Sequence, residues 1–207
     1  MVCGRWPAAP LCAPCVDLFA GPPAPLRHAA PAPLSSCLVA VDYAYPWDRV
    51  IGRFKFRQEP GLADILAGLV QRSPGFAAMA DGCDWILPVP LSRSRLVERG
   101  YNQAWELIRA LVRAHAGLGP KTLALGLERR EGRLDQHHLP RRERLQNLQG
   151  AFTVPAPARP ALRGRRVLLV DDVTTTGATL HHAAQALLQA GATSVQAAVV
   201  AATPRTP

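Results

Sequence analysis

The segment 166–188 constrains the fold of this chain more than any other feature. Residues 166–170 (RVLLV) are a continuous apolar run, and two adjacent carboxylates, Asp171 and Asp172, follow it directly. A polar stretch rich in Thr and Gly comes next, and apolar residues then recur at helical spacing. This pattern predicts a fully buried strand, a short loop and a helix. Fully buried strands are typical of parallel sheets that carry helices on both faces.

The chain before and after this segment alternates in the same way. Sequence periodicity predicts strands at 38–45, 84–89 and 194–201, and helices at 62–70 and 98–115. This order indicates an α/β fold with a mostly parallel central sheet and helices on both faces. Ligands of such folds bind beyond the carboxyl ends of the strands, which is where Asp171 and Asp172 are predicted to lie.

Composition and charge limit the classes of protein. Of the 207 residues, 48% are hydrophobic and 19% are charged, which is too apolar for a disordered chain. No apolar run approaches the ~20 residues that span a bilayer. Arg5 is followed by a stretch broken by Pro and Cys, which does not fit a secretory signal. We therefore expect a cytoplasmic protein without membrane insertion.

The net charge of +9 comes from 24 basic and 15 acidic residues, and the basic residues cluster. One cluster lies at 129–144 and another at 163–166. Such clusters favour binding of phosphates, on a small molecule or on a nucleic acid. The alternative is a solvated arginine-rich surface without a ligand.

The residues after the predicted strand 166–170 suit a sugar phosphate. A helix N-terminus offers free N–H groups and a positive dipole end to a phosphate, while the two carboxylates can accept hydrogen bonds from vicinal hydroxyls. A ribose with a 5-phosphate satisfies both, and Mg²⁺ shared with the ligand would suit the carboxylate oxygens. The alternative, a simple N-cap, needs only one such residue. The predicted substrate-binding residues of this loop are Thr174, Thr175, Thr176, Gly177, Ala178 and Thr179.

Residues 167–179 resemble the phosphoribosyl-diphosphate signature of type I phosphoribosyltransferases, with Thr174 at a position where an aliphatic residue is common. Three further segments, 49–56 (RVIGRFKF), 88–104 (PVPLSRSRLVERGYNQA) and 133–152 (RLDQHHLPRRERLQNLQGAF), resemble motifs of the ComF family, which is linked to DNA uptake. The resemblance implies a type I phosphoribosyltransferase-like fold over residues 38–207. It also implies single-stranded DNA and DNA-uptake proteins as candidate partners.

The resemblance assigns further roles. Arg93 and Arg95 would lie in a loop that contacts pyrophosphate, and residues 129–150 would form a flexible lid. Arg133 and Arg142 of that lid would stabilise charge on the leaving pyrophosphate and are, with Asp171 and Asp172, the predicted catalytic residues.

Three other polar residues carry predictions that leave alternatives open. Lys55, expected near a strand end, would reach a phosphate or form an ion pair. Asn102 and Gln103 would either contact the ligand or act as buried partners that fix the preceding loop.

The amino-terminal residues 1–37 show no regular periodicity and are predicted to form a small separate module. Relatives in the family carry a zinc ribbon there. Cys12 and Cys15 have the spacing of one zinc knuckle, and Cys3 looks like half of another. The fourth ligand would come from upstream of Met1 or from Cys37, unless the site is lost.

Two hypotheses about function follow from these observations. The first is an enzyme that transfers phosphoribose from phosphoribosyl diphosphate to an unidentified acceptor. The second is a binding protein on the same fold that holds a phosphorylated ribose or a nucleic-acid end. A fold alone does not decide between them, and oligomerisation stays open in both.

Overall fold

The computed structural model describes residues 13–20, 32–130 and 150–204. The strands are β1 (Ser36–Asp42), β2 (Trp85–Pro88), β3 (Glu128–Arg129), β4 (Phe152–Thr153), β5 (Arg166–Thr174) and β6 (Ser194–Ala202). The α-helices in these ranges are α1 (Ala13–Ala20), α2 (Trp47–Phe56), α3 (Ala63–Arg72), α4 (Phe76–Gly82), α5 (Arg93–Arg99), α6 (Gln103–Ala114), α7 (Arg159–Leu162) and α8 (Ala178–Gln189).

Four strands form a parallel sheet in the order β1-β6-β5-β2, while β3 and β4 pair separately as a short antiparallel ribbon. The strand β5 is central, because Val170 is in register with Pro88 of β2 on one side and with Ala198 of β6 on the other. The predicted α/β fold with a mostly parallel sheet is confirmed. All four carboxyl ends meet at one edge of the sheet.

Two apolar layers enclose this sheet. Leu168 and Val170 of β5 pack with residues of α3 and α6 on one face, whereas Val167 and Leu169 pack with residues of α8 on the other. None of the four is more than 1% exposed. Successive strand residues point to opposite faces, which explains why an apolar run without alternation suits a central strand. Because Asp171 and Asp172 are consecutive residues of β5, their side chains also point to opposite faces of the sheet.

The predicted helix 98–115 is two helices. Gly100 ends α5 with a left-handed φ of 78°, a conformation that glycine adopts without steric cost. The N-cap of α6 is Asn102, whose side chain accepts hydrogen bonds from the N–H groups of Ala104 and Trp105. The Arg-Gly-Tyr-Asn segment therefore forms a turn rather than the start of one long helix.

The amino-terminal helix α1 packs against the main domain. Cys15 is 5% exposed within the core cluster, and the indole Nε1 of Trp47 donates to the Phe19 carbonyl at 3.0 Å. The first strand begins at Ser36, so the predicted boundary between 37 and 38 falls inside β1. Among the residues described, no helix is long and apolar enough to cross a membrane.

Candidate functional site

The loops that follow β5 and β2 start side by side at the carboxyl edge of the sheet. The N–H of Val89 donates to the carbonyl of Val170 at 2.9 Å, one residue before the acidic pair. Since the strands are parallel neighbours, the two loops leave the sheet in the same direction. This edge holds most of the predicted site residues that the structure describes.

The two carboxylates have different surroundings. Asp172 is 5% exposed, and its Oδ1 lies 2.9 Å from Nζ of Lys55. Asp171 is partly buried, and its Oδ1 accepts a hydrogen bond from the N–H of Asp172 at 2.9 Å. Burial and the negative charge of Asp172 raise the pKa of Asp171 to about 7, against the attraction of Lys55 and Arg129. The pair thus combines one ion-paired carboxylate with one that titrates near neutrality.

Lys55 lies in the last turn of α2 and not at a strand end, so that prediction is wrong. The helix forms because Trp47, Val50, Ile51 and Phe54 recur at helical spacing and are buried. Lys55 directly follows the buried Phe54, and its ammonium contacts the carboxylate of Asp172 at the end of β5. Of the two roles considered for Lys55, the structure shows the ion pair.

The predicted phosphate loop is short. Thr174 is the last residue of β5, residues 175–177 connect it to α8, and Ala178 and Thr179 open that helix. Gly177 has a left-handed φ of 80°, and Thr176 Oγ1 accepts from the Ala178 N–H at 3.4 Å. The N–H groups in the first turn of a helix have no partner within it. The helix end therefore presents donors together with the exposed Thr175 and Thr176 side chains.

The loop after β2 is fixed by Asn102. Its Nδ2 donates to the Val89 carbonyl at 3.1 Å, while its Oδ1 caps α6. Gln103 is 1% exposed, and its Oε1 accepts from Arg99 at 2.9 Å. Of the two interpretations of Asn102 and Gln103, these contacts favour the one in which the two side chains fix the loop, rather than the one in which they contact the ligand.

Of the arginines predicted for the site, two lie among the described residues and two lie outside them. Arg93 and Arg95 are exposed on α5, a helix that begins at the Ser92 N-cap, rather than in an open loop. Arg133 and Arg142 lie outside the described residues, as does most of the predicted lid. Arg129 belongs to the basic cluster at 129–144. It lies on β3 with its guanidinium 5.6 Å from the centre of the Phe152 ring, and its charge acts on Asp171.

The predicted zinc ligands do not all come together. Cys15 and Cys37 lie in the two apolar clusters on opposite faces of the sheet, so these two thiols cannot share one ion. Burial raises the pKa of Cys37 to about 11, which keeps it a thiol, whereas zinc binds thiolates. Cys3 and Cys12 lie outside the described residues, and the Cys12–Cys15 knuckle stays a prediction.

The acidic pair offers oxygen ligands of the kind that a Mg²⁺ site uses. However, the Lys55 ammonium already lies against Asp172, in a position that a divalent cation on this carboxylate would take. In the parts of the chain that the structure describes, no group of three or more His, Cys, Asp or Glu side chains is placed to hold a metal ion.

The sheet, the acidic pair and the Thr–Gly loop before α8 define a class, the type I phosphoribosyltransferase-like α/β proteins. A family model described as "Phosphoribosyl transferase domain" matches residues 130–207. A Bacillus subtilis glutamine phosphoribosylpyrophosphate amidotransferase structure, with ADP and GMP, aligns over 69% of this chain and 26% of that chain. Its identity to this chain is 22% and the TM-score is 0.40.

Relatives identify the family within this class. The DNA utilization protein YhgH of Escherichia coli K12 is 34% identical over 170 residues, which are 80% of this chain and 71% of that protein. Competence protein F of Haemophilus influenzae is 34% identical over 74% of this chain and 67% of its own length. ComFC of Bacillus subtilis is 33% identical over 68% and 53%. The chain belongs to the ComF family.

Proposed function

We propose that this site binds the phosphoribosyl group of phosphoribosyl diphosphate or ribose 5-phosphate, and that the protein transfers phosphoribose to an unidentified acceptor in the cytoplasm. One observation carries the proposal. A three-residue loop, 175–177, separates the strand that bears Asp171 and Asp172 from the N-terminus of α8. This spacing matches a ligand that has vicinal hydroxyls at one end and a phosphate at the other.

Each part of the site has a role in this proposal. The phosphate would accept hydrogen bonds from the first N–H groups of α8 and from the Thr175 and Thr176 hydroxyls. Asp171, partly buried at the strand end, would accept a hydrogen bond from a ribose hydroxyl. Orienting the sugar at both ends holds its anomeric carbon in one position, which favours displacement of the leaving group.

The leaving pyrophosphate requires positive charge. Arg133 and Arg142 of the predicted lid would supply it, together with Arg129, whose positive charge opposes the rise in the pKa of Asp171. Mg²⁺, when bound, would arrive on the pyrophosphate and neutralise part of its charge. A closed lid would exclude water, which competes with the acceptor for the sugar.

Thermal unfolding tests ligand binding directly. Phosphoribosyl diphosphate with Mg²⁺ should raise the melting temperature, because a ligand that binds only the folded state stabilises it. The variant Asp171→Asn should lose this shift. Asp64→Asn, which removes an exposed carboxylate paired with Arg113 on α6, is the matched control and should keep it. Absence of any shift at millimolar ligand would refute the phosphoribosyl assignment.

A second candidate is a non-catalytic binding protein that serves DNA uptake. The relatives of this chain are named as a DNA utilization protein and two competence proteins, and these names favour this candidate. The net charge of +9 favours it as well. Single-stranded DNA binding should then weaken steeply with salt, since phosphate contacts release counterions. Binding that does not change with salt would exclude such contacts. Release of pyrophosphate only when an acceptor is added would instead support the enzyme.

A further inference from the structure

The proposed transfer of phosphoribose assigns no role to the ion pair between Lys55 and Asp172. Its nitrogen and oxygen lie 2.9 Å apart, and the two side chains are 15% and 7% exposed. A carboxylate buried to this degree requires a cation beside it, because water does not solvate its charge. Where carboxylates and phosphates share a site, that cation is often a divalent metal ion. Here the position is taken by an ammonium.

The choice of lysine at this position stands out in an arginine-rich chain. Only two of the 24 basic residues are lysines, Lys55 and Lys121. Lys121 donates to the carbonyls of Ala80 and Asp81, at 3.0 and 2.9 Å, where α4 ends. Both lysines therefore direct a compact point charge at oxygen atoms, a task for which the planar guanidinium is less suited.

The residues on both sides of Lys55 are held by the turn between α5 and α6. The Tyr101 hydroxyl donates to the Phe54 carbonyl, and the centres of these two aromatic rings lie 5.7 Å apart. The Arg99 guanidinium lies over the Phe56 ring at 5.4 Å. The last turn of α2 is thus fixed at the residue before Lys55 and at the residue after it, which limits the positions that the ammonium can take.

We propose that Lys55 is the resident cation of the acidic pair, and that the pair therefore binds the hydroxyls of ribose 5-phosphate without a divalent cation. Because Lys55 offsets the charge of Asp172, one net negative charge at most remains near the phosphate. A divalent cation is then needed only for the additional charge of pyrophosphate. This inference rests on the proposed function, since it concerns the same site.

Calorimetric titration of the full chain with ribose 5-phosphate tests this role. The affinity of the unmodified protein should agree within about twofold between EDTA and millimolar Mg²⁺. Lys55→Met should bind at least about tenfold more weakly in EDTA, the effect expected from one lost interaction with a charged group. Mg²⁺ should restore most of that loss, because it can replace the missing ammonium. Lys121→Met, which removes the same charge elsewhere, should behave as the unmodified protein.

Two results would overturn the inference. One is a strong Mg²⁺ requirement for ribose 5-phosphate in the unmodified protein, and the other is unchanged affinity of Lys55→Met in EDTA. If Lys55→Met does not fold, Tyr101→Phe frees the Phe54 carbonyl without removing a charge and should give a smaller, Mg²⁺-reversible loss. Phosphoribosyl diphosphate with Mg²⁺ is titrated in parallel. If it binds while ribose 5-phosphate requires Mg²⁺, only this inference fails; if neither ligand binds, the proposed function fails as well.

Discussion

Replacing Asp171 by Asn should stabilise the folded protein at alkaline pH, although it should also remove ligand binding. In the folded protein the pKa of Asp171 rises from 3.8 to about 7. The folded state therefore holds a proton that the unfolded state releases between these values, so folding loses stability as the pH rises through this window. Above about pH 7 the cost is fully present, and below about pH 4 it disappears.

The size of the effect follows from the two pKa values. At 1.36 kcal/mol per pK unit, the raised pKa of Asp171 lowers the free energy of unfolding by at most about 4 kcal/mol at pH 8 and by about 1 kcal/mol at pH 4.5. Asn is neutral and its Oδ1 can still accept from the Asp172 N–H, so the variant should gain about 2–4 kcal/mol at pH 8.

Urea unfolding at both pH values measures this gain. The control is Asp172→Asn at the adjacent position. It leaves the Lys55 ammonium largely buried without its carboxylate and should destabilise the protein by about 2–4 kcal/mol. Lys55→Met in the same chain should recover part of that loss. Equal stabilisation by Asp171→Asn at pH 4.5 and pH 8, or none at pH 8, would refute the charge argument.

Three further predictions concern the framework around the site. Asn102→Ala removes the α6 cap and the bond to Val89 and should cost about 1–3 kcal/mol in urea unfolding; a change below about 0.5 kcal/mol would argue against its anchoring role. Gly177→Ala places a side chain at a φ of 80° and should cost about 1–2 kcal/mol, whereas Gly52→Ala inside α2, where a Cβ meets nothing within 4 Å, should not destabilise. Cys37 should resist alkylation at pH 8 in the native protein, since burial raises its pKa to about 11, and rapid labelling would contradict this.

Local sequence patterns predicted the part of the site that lies in one continuous segment. Residues 166–188 contain the strand, the carboxylates, the phosphate loop and the helix, so neighbouring residues alone determine their order. The strand runs four residues further than the apolar run 166–170, because it remains paired with β6 as far as Thr174. Polar residues at its end conceal this extension.

The parts that were not predicted depend on contacts between distant segments. Lys55 and Asp172 are 117 positions apart in the chain, and only the folded sheet brings α2 to the end of β5. From the sequence, Cys37 is one candidate for a fourth ligand beside Cys15, yet the two residues belong to apolar clusters on opposite faces of the sheet. In the predicted helix 98–115, the apolar spacing from Leu107 to Val112 conceals the break at Gly100, although a glycine within a helical pattern is itself a signal for a possible helix end.

The helix α2 connects two regions of the molecule that the sequence shows as unrelated. Its first residue, Trp47, donates to the Phe19 carbonyl of the amino-terminal helix, and Lys55 near its other end holds Asp172. The ten residues of α2 span about 15 Å, so one short helix joins the two contacts. The contact with the amino-terminal helix and the cation beside the acidic pair therefore belong to one helix.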